Sequence, residues 1–171
     1  MNLLDGVRSV FVGQAKAQNI AYYRAFCSYN MKDYQIASDL FKQFIQTYPE
    51  SSFAEECLYM MGFCDYKASP KPRLDQQVTE KAIREFQLYL SRYPYSMRKD
   101  KVNTYMDEMR DKLSYKAYLS AKNYYLREHY KAAVISLQNC LKDYPGSKYR
   151  EEIMYMLFVS KYQMAVNSVE D

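Results

Sequence analysis

Residues 33–60 read DYQIASDLFKQFIQTYPESSFAEECLYM, and this stretch holds the pattern that organises the whole chain. Its tetrapeptide Tyr48-Pro49-Glu50-Ser51 returns as Tyr93-Pro94-Tyr95-Ser96 and as Tyr144-Pro145-Gly146-Ser147. In every copy a small residue is followed four positions later by a large apolar one, which stands eight before the proline: Ala37 and Phe41, Ala82 and Phe86, Ala133 and Leu137. Alanine lets two antiparallel helices approach closely, and the bulky residue one turn on fills the space beside it. Proline then ends the helix, because it has no N–H and drives the residue before it out of the α region. The serine two residues further is placed to accept from an exposed N–H of the next helix, and an acid (Glu55, Asp100, Glu151) follows near that helix's positive end.

Paired helices with these marks make up a tetratricopeptide-type repeat. The expected fold class is therefore all-α, a TPR-like α-solenoid of about four helix pairs forming a single repeat domain over residues 1–171. Helices are predicted at 2–11, 14–31, 33–48, 51–68, 78–93, 97–128, 130–144 and 147–167. Two departures from a regular period stand out. The segment Ser69-Pro70-Lys71-Pro72-Arg73-Leu74-Asp75-Gln76 is inserted between the helices of one pair. Residues 97–128 contain no Gly or Pro and keep an apolar stripe at Val102, Met106, Met109, Leu113, Ala117, Ala121 and Tyr124, which predicts one long helix bridging two parts of the solenoid. Residues 2–11 read as the end of a second helix, with Val12 in the place of the proline, and the tail ends in helix without a polar cap. Both features lead to the expectation of a fragment of a longer protein, since terminal repeats need capping.

A hydrophobic content of 49% is ample for a buried core and argues against disorder. The net charge of +4 comes from 24 basic and 20 acidic residues mixed along the chain, which reads as solvated helix faces rather than a nucleic-acid footprint. Cys27, Cys57, Cys64 and Cys140 form no CxxC pair and fall within apolar helical pattern, where a small buried thiol is expected. No apolar run of 18 or more residues and no signal-peptide pattern is found.

Aligned by distance from the proline, or by the alanine signature, the first helices of four pairs place tyrosine at both positions that face the concave surface of such a repeat. The pairs are Tyr22 and Tyr29, Tyr59 and Tyr66, Tyr118 and Tyr125, and Tyr155 and Tyr162. Between them lie Phe26, Phe63, Lys122 and Val159. A spacing of seven also suits a core-facing stripe, but a phenol needs a partner for its hydroxyl in a dry core, whereas at a binding surface it offers large area at small entropy loss. The expectation is a partly open groove for extended or helical peptide segments. Glu56, Lys67, Lys122 and Arg24 beside it read as solvated charges that can orient a peptide.

Chemistry is not indicated. No P-loop, GxGxxG, GxSxG or HExxH occurs, and the one histidine, His129, sits at a predicted helix junction without a nucleophile beside it. No catalytic residue, metal site or cofactor is expected.

Four segments carry a resemblance to a known family: residues 33–60, the inserted SPKPRLDQ ahead of KAIREFQLYLSRYPYS, the long-helix stretch MRDKLSYKAYLSAKNYY, and YKAAVISLQNCLKDYPGSKYREEI. Together they make the chain similar to the BamD family, tetratricopeptide lipoproteins of the outer-membrane β-barrel assembly machinery. That resemblance implies a non-enzymatic scaffold at the periplasmic face of the outer membrane, held by an N-terminal lipid anchor that this chain does not carry. It implies docking to the POTRA domains of the barrel-forming component through the C-terminal repeats, here Tyr118, Lys122, Tyr125, Tyr155 and Tyr162. It also implies that unfolded outer-membrane proteins are received at Tyr22, Phe26, Tyr29, Tyr59, Phe63 and Tyr66, with other assembly lipoproteins as further partners and no nucleic acid. The alternatives are a pilus-assembly lipoprotein, a glycan-binding outer-membrane protein and a cytosolic adaptor.

Overall fold

The computed structural model describes residues 15–167. Every regular element among them is an α-helix: α1 (Ala15–Asn30), α2 (Tyr34–Thr47), α3 (Ala54–Ala68), α4 (Gln77–Arg92), α5 (Lys99–Leu126), α6 (Tyr130–Asp143) and α7 (Arg150–Asn167). The class is thus all-α and tetratricopeptide-like, and each of these helices begins and ends within three residues of its predicted bounds. The helix expected at 2–11 lies outside the described residues.

Helices α3, α5 and α7 start later than the serine because Tyr-Pro-x-Ser is itself a β-turn. The serine N–H donates to the tyrosine carbonyl in all three copies, at 3.2 Å for Ser51, 3.2 Å for Ser96 and 3.0 Å for Ser147. The serine Oγ then accepts from the N–H two residues on, of Phe53, Arg98 and Tyr149, at 3.3, 3.2 and 3.3 Å. The same hydroxyl reaches back to the preceding first helix. Ser51 Oγ donates to Gln18 Oε1 at 2.9 Å, Ser96 Oγ to Glu55 Oε1 at 2.8 Å, and Ser147 Oγ accepts from Ser114 Oγ at 2.8 Å. Gln18, Glu55 and Ser114 each stand four residues before the first tyrosine of their helix, so one polar contact recurs in register.

The chain divides into two compact units, Met1–Met109 and Arg110–Asp171, with the boundary inside α5. That helix has 28 residues, about 42 Å at the usual rise per residue. Its buried stripe runs through Val102, Met106 and Met109 in the first unit and through Ser114, Tyr118 and Ala121 in the second. The expected stripe ending at Tyr124 is corrected: Tyr124 is exposed, because the step from Met109 to Ser114 shifts the buried face by one residue.

In the first unit α1 packs on α2, α2 on α3 and α3 on α4; in the second α6 packs on α7. Ala37, Ala82 and Ala133 are fully buried, as are Phe41, Phe86 and Leu137 one turn on. The contact of α3 with α4 is so close that a Cβ on Gly62 would lie 2.8 Å from Phe86 Cδ1. Burial pushes the thiols of Cys57 and Cys64 up to about 12, so they stay protonated and inert. Cys27 departs from expectation and is exposed, since it lines up with exposed Tyr23 and Asn30 on the outer face of α1.

A charge cluster that the sequence pattern does not announce lies between α2, α3 and α4. Lys81 Nζ is 2.8 Å from Asp65 Oδ2 and 3.7 Å from Glu85 Oε1, and it donates to Ser38 Oγ at 3.4 Å. Asp65 and Glu85 are both buried, and the attraction of Lys81 and Lys42 does not offset the cost of burying a second carboxylate beside Asp65. Burial, reinforced by Asp65, therefore raises the Glu85 carboxyl to about 8. A carboxyl whose proton is held more tightly when folded adds stability below its ordinary value of 4.5, and that stability is lost as pH rises through about 8. The melting temperature is expected to fall across this interval, and Glu85→Gln is expected to flatten the decline; an equally steep decline in the variant would show that another group sets it. Gly62→Ala is expected to lower the urea-unfolding free energy by about 1–3 kcal/mol, because the buried Phe86 ring has no room to yield.

Candidate functional site

The first-helix tyrosines occupy a graded position between core and surface. Tyr22 is half-buried, with its ring 4.6 Å from Phe26 and 4.5 Å from Phe53, and its hydroxyl donates to Glu56 Oε2 at 2.7 Å. Burial and this carboxylate hold the phenol well above its ordinary range. Tyr29 lies 6.2 Å from Phe63, which stacks on Tyr59 at 5.7 Å and on Tyr66 at 5.9 Å. Tyr105 of α5 closes the group, stacking on Tyr66 at 4.5 Å and on Phe86 at 5.9 Å. The Tyr66 hydroxyl donates to Glu108, and the hydrogen bond lifts its proton affinity to about 12. Lys67 holds its ammonium 5.3 Å from the centre of the Phe63 ring. The structure thus brings Tyr22, Phe26, Tyr29, Tyr59, Phe63 and Tyr66 into the aromatic packing of one unit.

The ladder is not uniformly open, and this corrects the groove expectation at two positions. Tyr59 is 7% exposed and Tyr118 5%, so both are core residues. One contact on these rings recurs from copy to copy. The residue two after the turn serine covers the first tyrosine of the preceding first helix: Phe53 lies 4.5 Å from Tyr22, the Arg98 guanidinium 4.9 Å from Tyr59, and Tyr149 4.3 Å from Tyr118. Arg98 also pairs with Glu56 at 3.5 Å. Extending the repeat alignment past the serine would have found these covers. Tyr105 had a signal too, because it lies three residues after Val102 and four before Met109 in the helical stripe.

In the second unit Lys122 is not a free docking charge. Its Nζ donates to Tyr118 OH at 2.8 Å and to Glu152 Oε1 at 2.7 Å. That bond draws the Glu152 carboxyl below its ordinary value and raises Lys122. Tyr125 is half-buried. Tyr155 and Tyr162, by contrast, are 64% and 59% exposed, and with Met154 and Phe158 they form an apolar strip on α7. Phe158 holds the slot of buried Ala25, Gly62 and Ala121, three residues after the first tyrosine, and no residue covers it among those described.

Among the described residues no group of His, Cys, Asp or Glu is arranged to hold a metal ion, and no helix is long and apolar enough to cross a membrane. His129 is exposed.

A family model described as YfiO, outer membrane lipoprotein, matches residues 2–171. No curated protein matches the chain.

Two substitutions separate core from surface. Tyr59→Ala is expected to cost roughly 3–5 kcal/mol in urea unfolding, as for a buried aromatic, while Tyr66→Ala costs under about 2 kcal/mol. Equal losses at the two positions would contradict the graded burial.

Proposed function

The chain belongs to the YfiO family of outer membrane lipoproteins, and from that membership we propose that it is a non-enzymatic scaffold of outer-membrane β-barrel assembly at the periplasmic face of that membrane. Its first unit receives segments of unfolded outer-membrane proteins, and its second docks to the POTRA domains of the barrel-forming component. The observation that carries this reading is the contrast between two aromatic surfaces. In the first unit Tyr22, Phe26, Tyr29, Phe63 and Tyr66 are half-buried rings packed against one core, to which Tyr59 belongs; Tyr22 and Phe26 form one ring group, and Tyr29, Phe63 and Tyr66 another. Rigid rings of this kind give contact area without demanding one sequence, which suits clients that differ in sequence but share aromatic residues.

In the second unit the exposed Tyr155 and Tyr162 supply the anchors, and Tyr118, Lys122 and Tyr125 hold the first helix behind them. An apolar strip on α7 is costly to leave in water and fits burial against a folded domain. The charged pair Lys122–Glu152 at its edge favours orientation over affinity.

Calorimetric titration with the POTRA domains tests the docking half. Tyr155→Ala with Tyr162→Ala is expected to weaken binding by about ten-fold or more with an unchanged helical circular-dichroism spectrum. Tyr66→Ala should leave that affinity unchanged and weaken capture of a peptide from an unfolded barrel protein. A wild-type chain that binds neither ligand would overturn the proposal.

A further inference from the structure

We propose that the turn between α4 and α5 is a contact site for an anionic phospholipid surface. The three Tyr-Pro-x-Ser turns share one backbone, so their differences are informative. The two outward positions beside the serine are Glu50 and Ser52 in the first copy and Gly146 and Lys148 in the third; in the middle copy they are Tyr95 and Met97. Tyr95 is 98% exposed and Met97 fully so, more than any other large apolar side chain described.

The middle copy differs in charge as well. Helices α3 and α7 begin with the acid pairs Glu55-Glu56 and Glu151-Glu152, matched to the positive helix end, whereas α5 has Asp100-Lys101 there, preceded by Lys99. Lysine in the first turn is electrostatically unfavourable for the helix itself. Arg92, Lys99 and Lys101 are all exposed beside the apolar pair.

The turn is also held in place. Ser96 Oγ bonds Tyr89 OH at 2.6 Å and Glu55 at 2.8 Å, and Arg92 donates to the Pro49 carbonyl at 3.1 Å. A tip of one aromatic and one thioether side chain, flanked in sequence by three exposed cations and one exposed acid, Asp100, matches a bilayer interface. Tyrosine rings settle at the headgroup level, and basic residues are drawn to anionic lipid. The family's place among outer membrane lipoproteins brings such a surface within reach.

Co-sedimentation of the full chain with vesicles of phosphatidylglycerol and phosphatidylcholine in equal parts, against phosphatidylcholine alone, tests this. The wild-type chain is expected to pellet with the anionic vesicles and to be released by added salt. Tyr95→Glu with Met97→Ser, which installs the first copy's residues, should lower the partition coefficient about ten-fold with no change in melting temperature. Lys99→Glu with Lys101→Glu should remove the preference for phosphatidylglycerol. Wild-type protein left in the supernatant of both vesicles, or a Tyr95/Met97 variant that pellets like wild type, would overturn the proposal. Loss of POTRA-domain binding in that variant without any vesicle binding would assign the turn to a protein partner instead.

Discussion

A single hydroxyl recurs at each helix-pair junction, and the rest of the packing depends on where it bonds. The turn serine orders its own turn through the backbone N–H two residues on, and it ties that turn to the first helix of the preceding pair through Gln18, Glu55 or Ser114. Each bond contributes only about 1 kcal/mol. Its importance is geometric: it fixes how far a new helix starts from the one it must lie beside. Close approach at Ala37, Ala82 and Ala133 then needs no further adjustment.

That register also places a neighbour over the first tyrosine of each covered first helix. The residue two after the serine lands on the first tyrosine of the preceding first helix, and its chemistry sets what that ring can do. Phe53 over Tyr22 leaves the phenol half-buried with a carboxylate partner. Arg98 over Tyr59 replaces a ring with a cation and buries the tyrosine. Where no cover is present among the described residues, as at Tyr155, the ring stands in solvent. One repeat pattern therefore yields a packed aromatic face in one unit and a bare apolar strip in the other.

The helices were legible in the sequence because proline, serine and alanine act locally: each sets a stop, a start or a close contact within a turn or two. The tyrosine positions were legible for the same reason, but their exposure was not. Burial at Tyr59 depends on Arg98, some 40 residues away, which a helix-by-helix alignment ignores. Tyr105 was missed because it stands one residue beside the stripe read through Val102, Met106 and Met109, at the edge of the buried face. The Asp65–Lys81–Glu85 cluster was invisible, since polar residues at those positions look solvated until three helices converge on them. Cys27 was misread as buried because an apolar pattern does not say which neighbour of the core stripe lies just beyond its edge.

The proposed division of labour between the two surfaces is tested most directly by photo-crosslinking in intact cells, with a benzophenone side chain placed at Tyr66 or at Tyr155. A client face in the first unit and a docking face in the second predict crosslinks from Tyr66 to unfolded outer-membrane proteins and from Tyr155 to the POTRA-bearing component. Both positions capturing the same partner, or neither capturing any envelope protein, would contradict it.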